Sequence, residues 1–318
     1  MSNRSTISIV CATDDAYVPY CGIMLTSLFY NNCDESINVY VITKSLSDAG
    51  AQALYNLAEK YKQSISILQI DDTLLDGVFV RNDNHISIAT YYRLLAPVLL
   101  PNTINKALYL DCDLIINDSI RTIWETDLEG KAIAATIDES YYMTEFYSRL
   151  KISPSNKYIN AGVLLLNLDY WRRNNIFSLC INYIRSFPER LLFYDQDVIN
   201  AVMNDKVSYL PIKANLQNGF LYTWQWGFYE KNVQEEIWSA VLSPSIIHFD
   251  GSAKPWCKEC YHPYKSYFNY YKGLSPWADL RKTGKWPLKN RIKHFIRGIA
   301  VKMHIKERSF IIHSMNHR

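Results

Sequence analysis

The order of the first five segments constrains this chain more than any other feature. Ile7–Ala12 is an apolar run that stops at Thr13-Asp14-Asp15. Residues 18–30 then place Ile23, Leu25, Leu28 and Phe29 at helical spacing, with Pro19 in the first turn. Ile37–Thr43 reads as a second strand, residues 45–60 as a helix capped by Ser45 or Ser47, and residues 64–70 as a third strand. Strands separated by helices of this length cannot form tight hairpins, so they pair in parallel through crossovers. The opening therefore predicts an α/β fold and excludes an all-β sandwich or a helical bundle.

The remainder extends that plan. Residues 71–84 read mostly as loop, and residues 88–100 as a helix carrying Tyr92 and Arg93 that stops near Pro101. Lys106–Leu110 is a strand, continued by Leu114–Ile116 beyond Asp111-Cys112-Asp113. Residues 131–137 form a strand ending at Asp138, and the polar, aromatic stretch 141–156 is expected to be a mobile loop. A strand over 158–168 passes through Asn160-Ala161-Gly162. Helices over 169–187 and 196–203 and short strands at Val207–Leu210 and 245–249 follow. Near Gly273 to Pro287 the composition shifts, which divides a globular body, residues 1–272, from a tail, residues 273–318.

Charge sharpens that division. Residues 280–318 hold eleven Lys and Arg against one acid, Glu307, whereas the rest holds 23 basic and 30 acidic groups. Only the tail is therefore suited to an anionic partner, and no nucleic-acid recognition module accompanies its charge. Within residues 289–308, Ile292, Phe295, Ile296, Ile299, Ala300, Met303 and Ile305 fall mostly on one helical face, with basic residues around it. That pattern predicts a basic amphipathic helix on an anionic membrane surface. Seven scattered cysteines, several inside apolar runs, outline no disulfide framework and suggest a reducing compartment. The N-terminal run is too short for a signal peptide or anchor. With 24 Tyr and 8 Trp the chain is rich in rings that serve as core, sugar platforms or interface anchors.

The most specific local signal is the strand that ends in Asp111-Cys112-Asp113. In extended backbone both carboxylates face one side, at the strand end where open α/β sheets bind ligands. Two such carboxylates repel unless a cation joins them, and Mg²⁺ or Mn²⁺ bridging to a diphosphate suits oxygen ligands. His248, followed by Gly251 and Lys254, supplies a possible imidazole ligand, a permissive backbone and a phosphate-pairing charge. An Asp/Asp/His set favours Mn²⁺ over Mg²⁺. The run Cys257, Cys260, His262 is half a zinc pattern without a second pair, and reads as structural.

Taken together, ordered blocks over residues 6–272 resemble glycosyltransferase family 8. They are the block from Val10 to Tyr17, His85-Ile86-Ser87 with Tyr91 to Leu94, Tyr109 to Asp113, Asn160 to Leu165, Asp195-Gln196-Asp197, and His248 to Gly251 with Lys254-Pro255-Trp256. These are retaining nucleotide-sugar-dependent enzymes, including bacterial lipopolysaccharide galactosyl- and glucosyltransferases. The resemblance implies a single Rossmann-like nucleotide-diphospho-sugar transferase domain of GT-A type, with a mixed, mainly parallel sheet. It implies that Ala12, Asp14 and Tyr17 hold the uracil and ribose of a UDP-sugar. Asp111, Asp113 and His248 would hold Mn²⁺, Cys112 would lie beside the nucleotide-sugar, and Gly251 and Lys254 would complete the diphosphate site. Arg93, Asp138, Asn160, Ala161, Gly162, Asp195 and Gln196 would surround the donor hexose, with Asp138, Asp195 and Gln196 nearest the chemistry, and His85 would meet the acceptor.

The implied reaction moves galactose or glucose from a UDP-hexose to a glycan or lipid-linked glycan acceptor, at the inner face of the cell membrane. Asp195 could instead be the N-cap of the helix that follows it, and Asn160-Ala161-Gly162 a packing kink. A phosphatase of the haloacid-dehalogenase type also sets D-x-D after a strand, but leaves the later blocks unexplained. A non-catalytic nucleotide-sugar or glycan-binding protein is the other alternative. The absence of G-x-G-x-x-G after the first strand argues against a dinucleotide-dependent dehydrogenase.

Overall fold

The computed structural model describes residues 5–78, 88–251 and 254–284. Its strands are β1 (Ile7–Ala12), β2 (Ile37–Thr43), β3 (Ser64–Gln69), β4 (Lys106–Leu110), β5 (Leu114–Ile116), β6 (Ile133–Ile137), β7 (Ile159–Asn167), β8 (Val207–Leu210) and β9 (Ile246–His248). Seven form one sheet in the order β3-β2-β1-β4-β7-β6-β8, and β5 pairs with β9 in a second. In the large sheet only β7 runs antiparallel to its neighbours, β4 and β6. The expected mixed, mainly parallel sheet is what forms.

Alternation along β1 explains its apolar run. Ile7, Ile9 and Cys11 pack into the core on one face of the sheet, and Val10 packs into the core on the other. A strand covered by helices on both faces has no polar side. The helix Val18–Asn31 covers one face, and Gly22 within it admits Trp277 so closely that a Cβ would lie 1.8 Å from the ring. Ser47, not Ser45, caps the helix Asp48–Lys60 by accepting from the Gly50 N–H.

β1 and β4 lie side by side although β2 and β3 intervene in sequence, so the strand order reverses between them. The crevice at their carboxyl ends is the ligand site of such sheets. There the chain leaves the large sheet. The Asp111 N–H still bonds the Gly162 carbonyl of β7 (2.9 Å), while the Asp113 carbonyl receives the Phe249 N–H beyond β9 (3.0 Å). The D-x-D is thus the junction of the two sheets, fixed from both.

Several expected elements differ. Residues 88–100 are not one helix: a 3₁₀ segment, Ile88–Leu95, gives way to a short α-helix, Ala96–Leu99. Pro97 lacks an N–H, and its ring would strike the carbonyl four residues back, so the helix must restart there. The stretch 169–187 splits into Leu168–Arg173 and Ile176–Ser186 around Asn175, whose φ of 50° is left-handed. The expected mobile loop at 141–156 contains the helix Thr144–Leu150, anchored by buried Phe146, Tyr147 and Leu150. Among the described residues no helix is long and apolar enough to cross a membrane. The predicted basic helix of the tail lies outside the described residues.

Candidate active site

The ligand atoms of Asp111, Asp113 and His248 lie within 4.8 Å of one another, the one such group among the described residues. Cys112 and Asp113 form a turn between β4 and β5 rather than the expected extended backbone, yet both carboxylates reach one site. Cys112, between them, points the other way, where its thiol donates to the Ala12 carbonyl (3.2 Å). A hydrogen bond with Cys21, then burial, raise the Cys112 thiol well above its usual range, so it stays neutral.

A bulge in β7 completes the centre. Leu164 and Leu166 face the same core as Ile159 and Ala161, although their positions differ in parity. The register with β6 is irregular over the same stretch, where Ala135 pairs with Leu164 but Ile137 with Ile159. The slip falls on Asn160-Ala161-Gly162. A bulge re-aims side chains, and here it brings Asn160 into a polar network and Gly162 against His248 and Asp111. A Cβ on Gly162 would lie 2.4 Å from His248 Cε1 and 3.0 Å from Asp111 Oδ2. The packing kink foreseen from the sequence is real, and it is part of the site.

Hydrogen bonds set the orientation of His248. Asn215 Nδ2 donates to Asn160 Oδ1 (2.8 Å), which leaves Asn215 Oδ1 to accept from His248 Nδ1 (3.0 Å). The neutral imidazole therefore carries its proton on Nδ1 and aims the Nε2 lone pair at Asp113 Oδ1, 3.3 Å away. Asp113 Oδ1 is itself buried and without a hydrogen-bond partner. An orphaned carboxylate oxygen, a second carboxylate and an oriented imidazole fit a divalent cation such as Mn²⁺.

Charge is balanced by two cations. Burial alone would raise the Asp113 carboxyl, but the Lys254 ammonium, together with His248 when its ring is protonated, holds it well below the usual carboxylate range. The Lys254 ammonium bonds Asp113 Oδ2 and the Phe249 carbonyl. Arg93 joins Asp111 (2.9 Å) to Asp195 (2.9 Å), lies 4.5 Å over the Tyr109 ring and donates to the Ala161 carbonyl. Burial would lower its pKa; Asp111 and Asp195 more than reverse that.

Asp195 is not an N-cap. It lies in the first turn of the helix Tyr194–Met203, and Thr90 and Arg93 occupy its carboxylate. Burial, opposed by Arg93, raises its pKa to about 6. Next to it, Gln196 is used at both ends: Oε1 accepts from the Ala161 N–H (3.0 Å), and Nε2 donates to Asp138 Oδ2 (3.1 Å) and the Tyr158 hydroxyl (3.3 Å). Asp138 also accepts from Asn160 (3.3 Å) and the Ser140 N–H (2.9 Å), and burial raises it to about 6. Thus Arg93, Asp111, Asp113, Asp138, Asn160, Ala161, Gly162, Asp195, Gln196, His248 and Lys254 form one connected network.

At its mouth, Asp14 Oδ1 accepts from the Tyr17 N–H (3.0 Å), and Tyr17 meets Trp256 edge-on (6.2 Å). Trp256 stacks on Tyr20 at 3.8 Å. Gly251 has a φ of 75°, a left-handed turn that an L side chain resists. His85 lies outside the described residues. Cys257 lies beside Thr283 (3.6 Å), and no metal cluster includes it among the described residues.

Sequence reasoning missed Asn215, Thr90 and the pair Glu139 and Asp250. The Asn218 N–H donates to Asp250 (2.8 Å), and the Gly219 N–H to Glu139. Burial raises both acids. Asn215 carries no spacing signal; only its position beside β9, where Leu216 bridges Ile247, brings it to His248.

General stress protein A of Bacillus subtilis (strain 168) is 26% identical over 294 residues, 88% of this chain and 98% of that protein. Lipopolysaccharide 1,2-glucosyltransferase of Escherichia coli (strain K12) is 27% identical over 281 residues, 88% of this chain and 81% of that protein. The crystal structure of galactosyltransferase LgtC with donor and acceptor sugar analogs superposes with a TM-score of 0.77 at 26% identity, covering 90% of this chain and all of that one. The family described as Glycosyl transferase family 8 matches residues 8–260, and the chain belongs to it.

Proposed function

We propose that the protein transfers galactose or glucose from a UDP-hexose to a glycan acceptor, with retention at the anomeric carbon and dependence on Mn²⁺. The acceptor class that best suits its relatives is a lipopolysaccharide core or another surface polysaccharide. The observation that carries the reading is the Asp111, Asp113 and His248 cluster, with its oriented imidazole and orphaned carboxylate oxygen, at the sheet's switch point.

In this reading Ala12, Asp14 and Tyr17 bind uracil and ribose, and Cys112 lines the floor beneath them. Gly251 and Lys254 bind the diphosphate. Bound by Asp111, Asp113 and His248, a metal would supply charge neutralisation for the departing diphosphate. Arg93, Asp138, Asn160, Ala161, Gly162, Asp195 and Gln196 would line the hexose pocket, and His85 would contact the acceptor.

Retention needs either a protein nucleophile or a same-face substitution. Gln196 is committed at both amide ends, and Thr90 and Arg93 hold Asp195. Neither presents a free oxygen, which supports the same-face route. There the acceptor hydroxyl attacks from the side of the leaving group, and the departing phosphate oxygen takes its proton. Two cations, the buried Arg93 and the part-buried Lys254, stabilise charge as it develops. The tail would keep the enzyme at the cytoplasmic face of the membrane, close to a lipid-linked acceptor.

The test is UDP release from UDP-galactose and UDP-glucose, with Mn²⁺ and then with EDTA, for the wild type and Asp113→Ala. Metal-dependent release lost in the variant is expected. A protein that binds UDP-sugar without turning it over would be a binding protein instead, and no interaction with either donor would refute the reading.

A further inference from the structure

The segment from Asn215 to Tyr229 begins in the polar network and leaves it as a run of rings. It contains Phe220, Tyr222, Trp224, Trp226, Phe228 and Tyr229, with amides at Asn215, Gln217, Asn218 and Gln225, and no charged residue. Its start is fixed to the site. Asn215 orients His248, Gln217 accepts from the Glu139 N–H (2.8 Å), and Asn218 and Gly219 bond Asp250 and Glu139.

The rings then divide between inside and outside. Trp226 packs against Trp238 (6.1 Å), and Tyr229 is buried, its hydroxyl bonded to the Glu139 carbonyl (2.9 Å) and Gln225 (2.6 Å). Trp224 and Phe228 turn outward and are 64% and 57% exposed, respectively. Phe228 stacks on Tyr142, three residues beyond Glu139, with centroids 5.0 Å apart and planes 11° from parallel. Trp224 lies beside Tyr222 at 6.3 Å and 28°. Tyr142 in turn meets Tyr229 edge-on (5.6 Å).

We propose that Trp224 and Phe228, backed by Tyr222 and Tyr142, form a stacking platform for the acceptor: a neutral chain of pyranose residues lying beyond the sugar that receives the hexose. The proposal rests on the donor reading above and adds to it the acceptor's chemistry. An aromatic face is electron-rich, and the apolar C–H face of a pyranose carries partial positive charge, so the two stack. Rings held by backing rings lose little entropy when a ligand arrives. An uncharged, amide-rich segment suits hydroxyls and neither attracts nor repels an anion. A lipid headgroup surface would instead call for Lys and Arg among the rings. Continuity with Asn215, Asn218 and Glu139 places the platform on the same loops that build the site.

The test uses the whole protein with UDP and Mn²⁺ on an array of neutral oligosaccharides, from disaccharides to hexasaccharides, without turnover. The double variant Trp224→Ala/Phe228→Ala is expected to bind the retained glycans at least about fivefold more weakly, the low end for one lost stacking ring. Trp224→Phe, which keeps a ring, should retain most of the binding. UDP affinity, UDP release from the donor and the melting temperature should match the wild type in all of them. Three results would overturn the platform: no glycan retained by a wild type that releases UDP, equal retention by the double variant, or a double variant that instead loses binding to phosphatidylglycerol vesicles. Failure of UDP release would strike the donor reading alone, because glycan retention is read without catalysis.

Discussion

Gly162→Ala tests the proposed metal centre through one methyl group. The added Cβ would lie 2.4 Å from His248 Cε1, 3.0 Å from His248 Nδ1 and 3.0 Å from Asp111 Oδ2. Carbon atoms pack at about 3.5–4.0 Å, so the imidazole must recede by about 1 Å or more. It cannot recede freely, because Nδ1 is held by Asn215 and the strand β9 is buried. Displacing an oriented ligand of this kind costs about 10–100-fold in metal affinity. Overpacking a buried site costs about 1–3 kcal/mol of stability. Titration of Mn²⁺ in the presence of UDP, alongside denaturant unfolding without metal, reads both effects. Gly273→Ala is the control: nothing lies within 4 Å of its Cβ, and it sits in the helix Lys265–Leu274. That variant should leave Mn²⁺ affinity unchanged and gain up to about 1 kcal/mol. A folded Gly162→Ala protein with Mn²⁺ affinity within about twofold of wild type would refute both the packing argument and the ligand assignment.

Three further outcomes are expected. Asp138 is raised from its ordinary 3.8 to about 6 by burial, so folding favours its protonated form; that stability is present below pH 3.8 and lost as pH rises through 6. The full cost at neutrality is about 3 kcal/mol. Asp138→Asn escapes it but gives up the Ser140 bond, worth about 1 kcal/mol, so unfolding at pH 7.5 should show a gain of about 2 kcal/mol that vanishes at pH 4, and a pH-independent difference would contradict the account. Lys254→Met frees Asp113 of its ammonium, so Mn²⁺ alone should bind at least as tightly as to the wild type, while UDP with Mn²⁺ binds about tenfold more weakly; calorimetry with and without UDP separates the two. Arg149→Met leaves Asp197, fully buried and paired with Arg149 at 2.8 Å, without its countercharge, and should cost about 3–5 kcal/mol in a denaturant melt.

What the sequence revealed and what it hid divide along physical lines. The parallel sheet was legible because β1 and β2 are covered on both faces, and crossover helices must separate parallel strands; the apolar runs record that burial directly. Asp111 and Asp113 were legible for a related reason, since two carboxylates that close an apolar strand must either face water or share a cation. The break at Pro97 was present in the sequence and underweighted, as was the Asn174-Asn175 pair that divides two helices. The helix Thr144–Leu150 was hidden because its anchors are distant: Arg149 finds Asp197, and Phe146 finds Tyr158, only after folding. Asn215 was hidden more deeply. A lone Asn between apolar residues looks like a loop, and its value comes from having two ends, one donating to Asn160 and the other accepting from His248. The same holds for the second role of Gln196, which in the fold ties Ala161, Asp138 and Tyr158 together. Short-range pattern reports what a backbone must bury. It cannot report which amide closes a buried network, because that choice is made by partners as far as 80 residues away. In this site the three candidate ligands come from strand ends, where sequence speaks, and the orientation of His248 comes from an amide, where only the folded chain does.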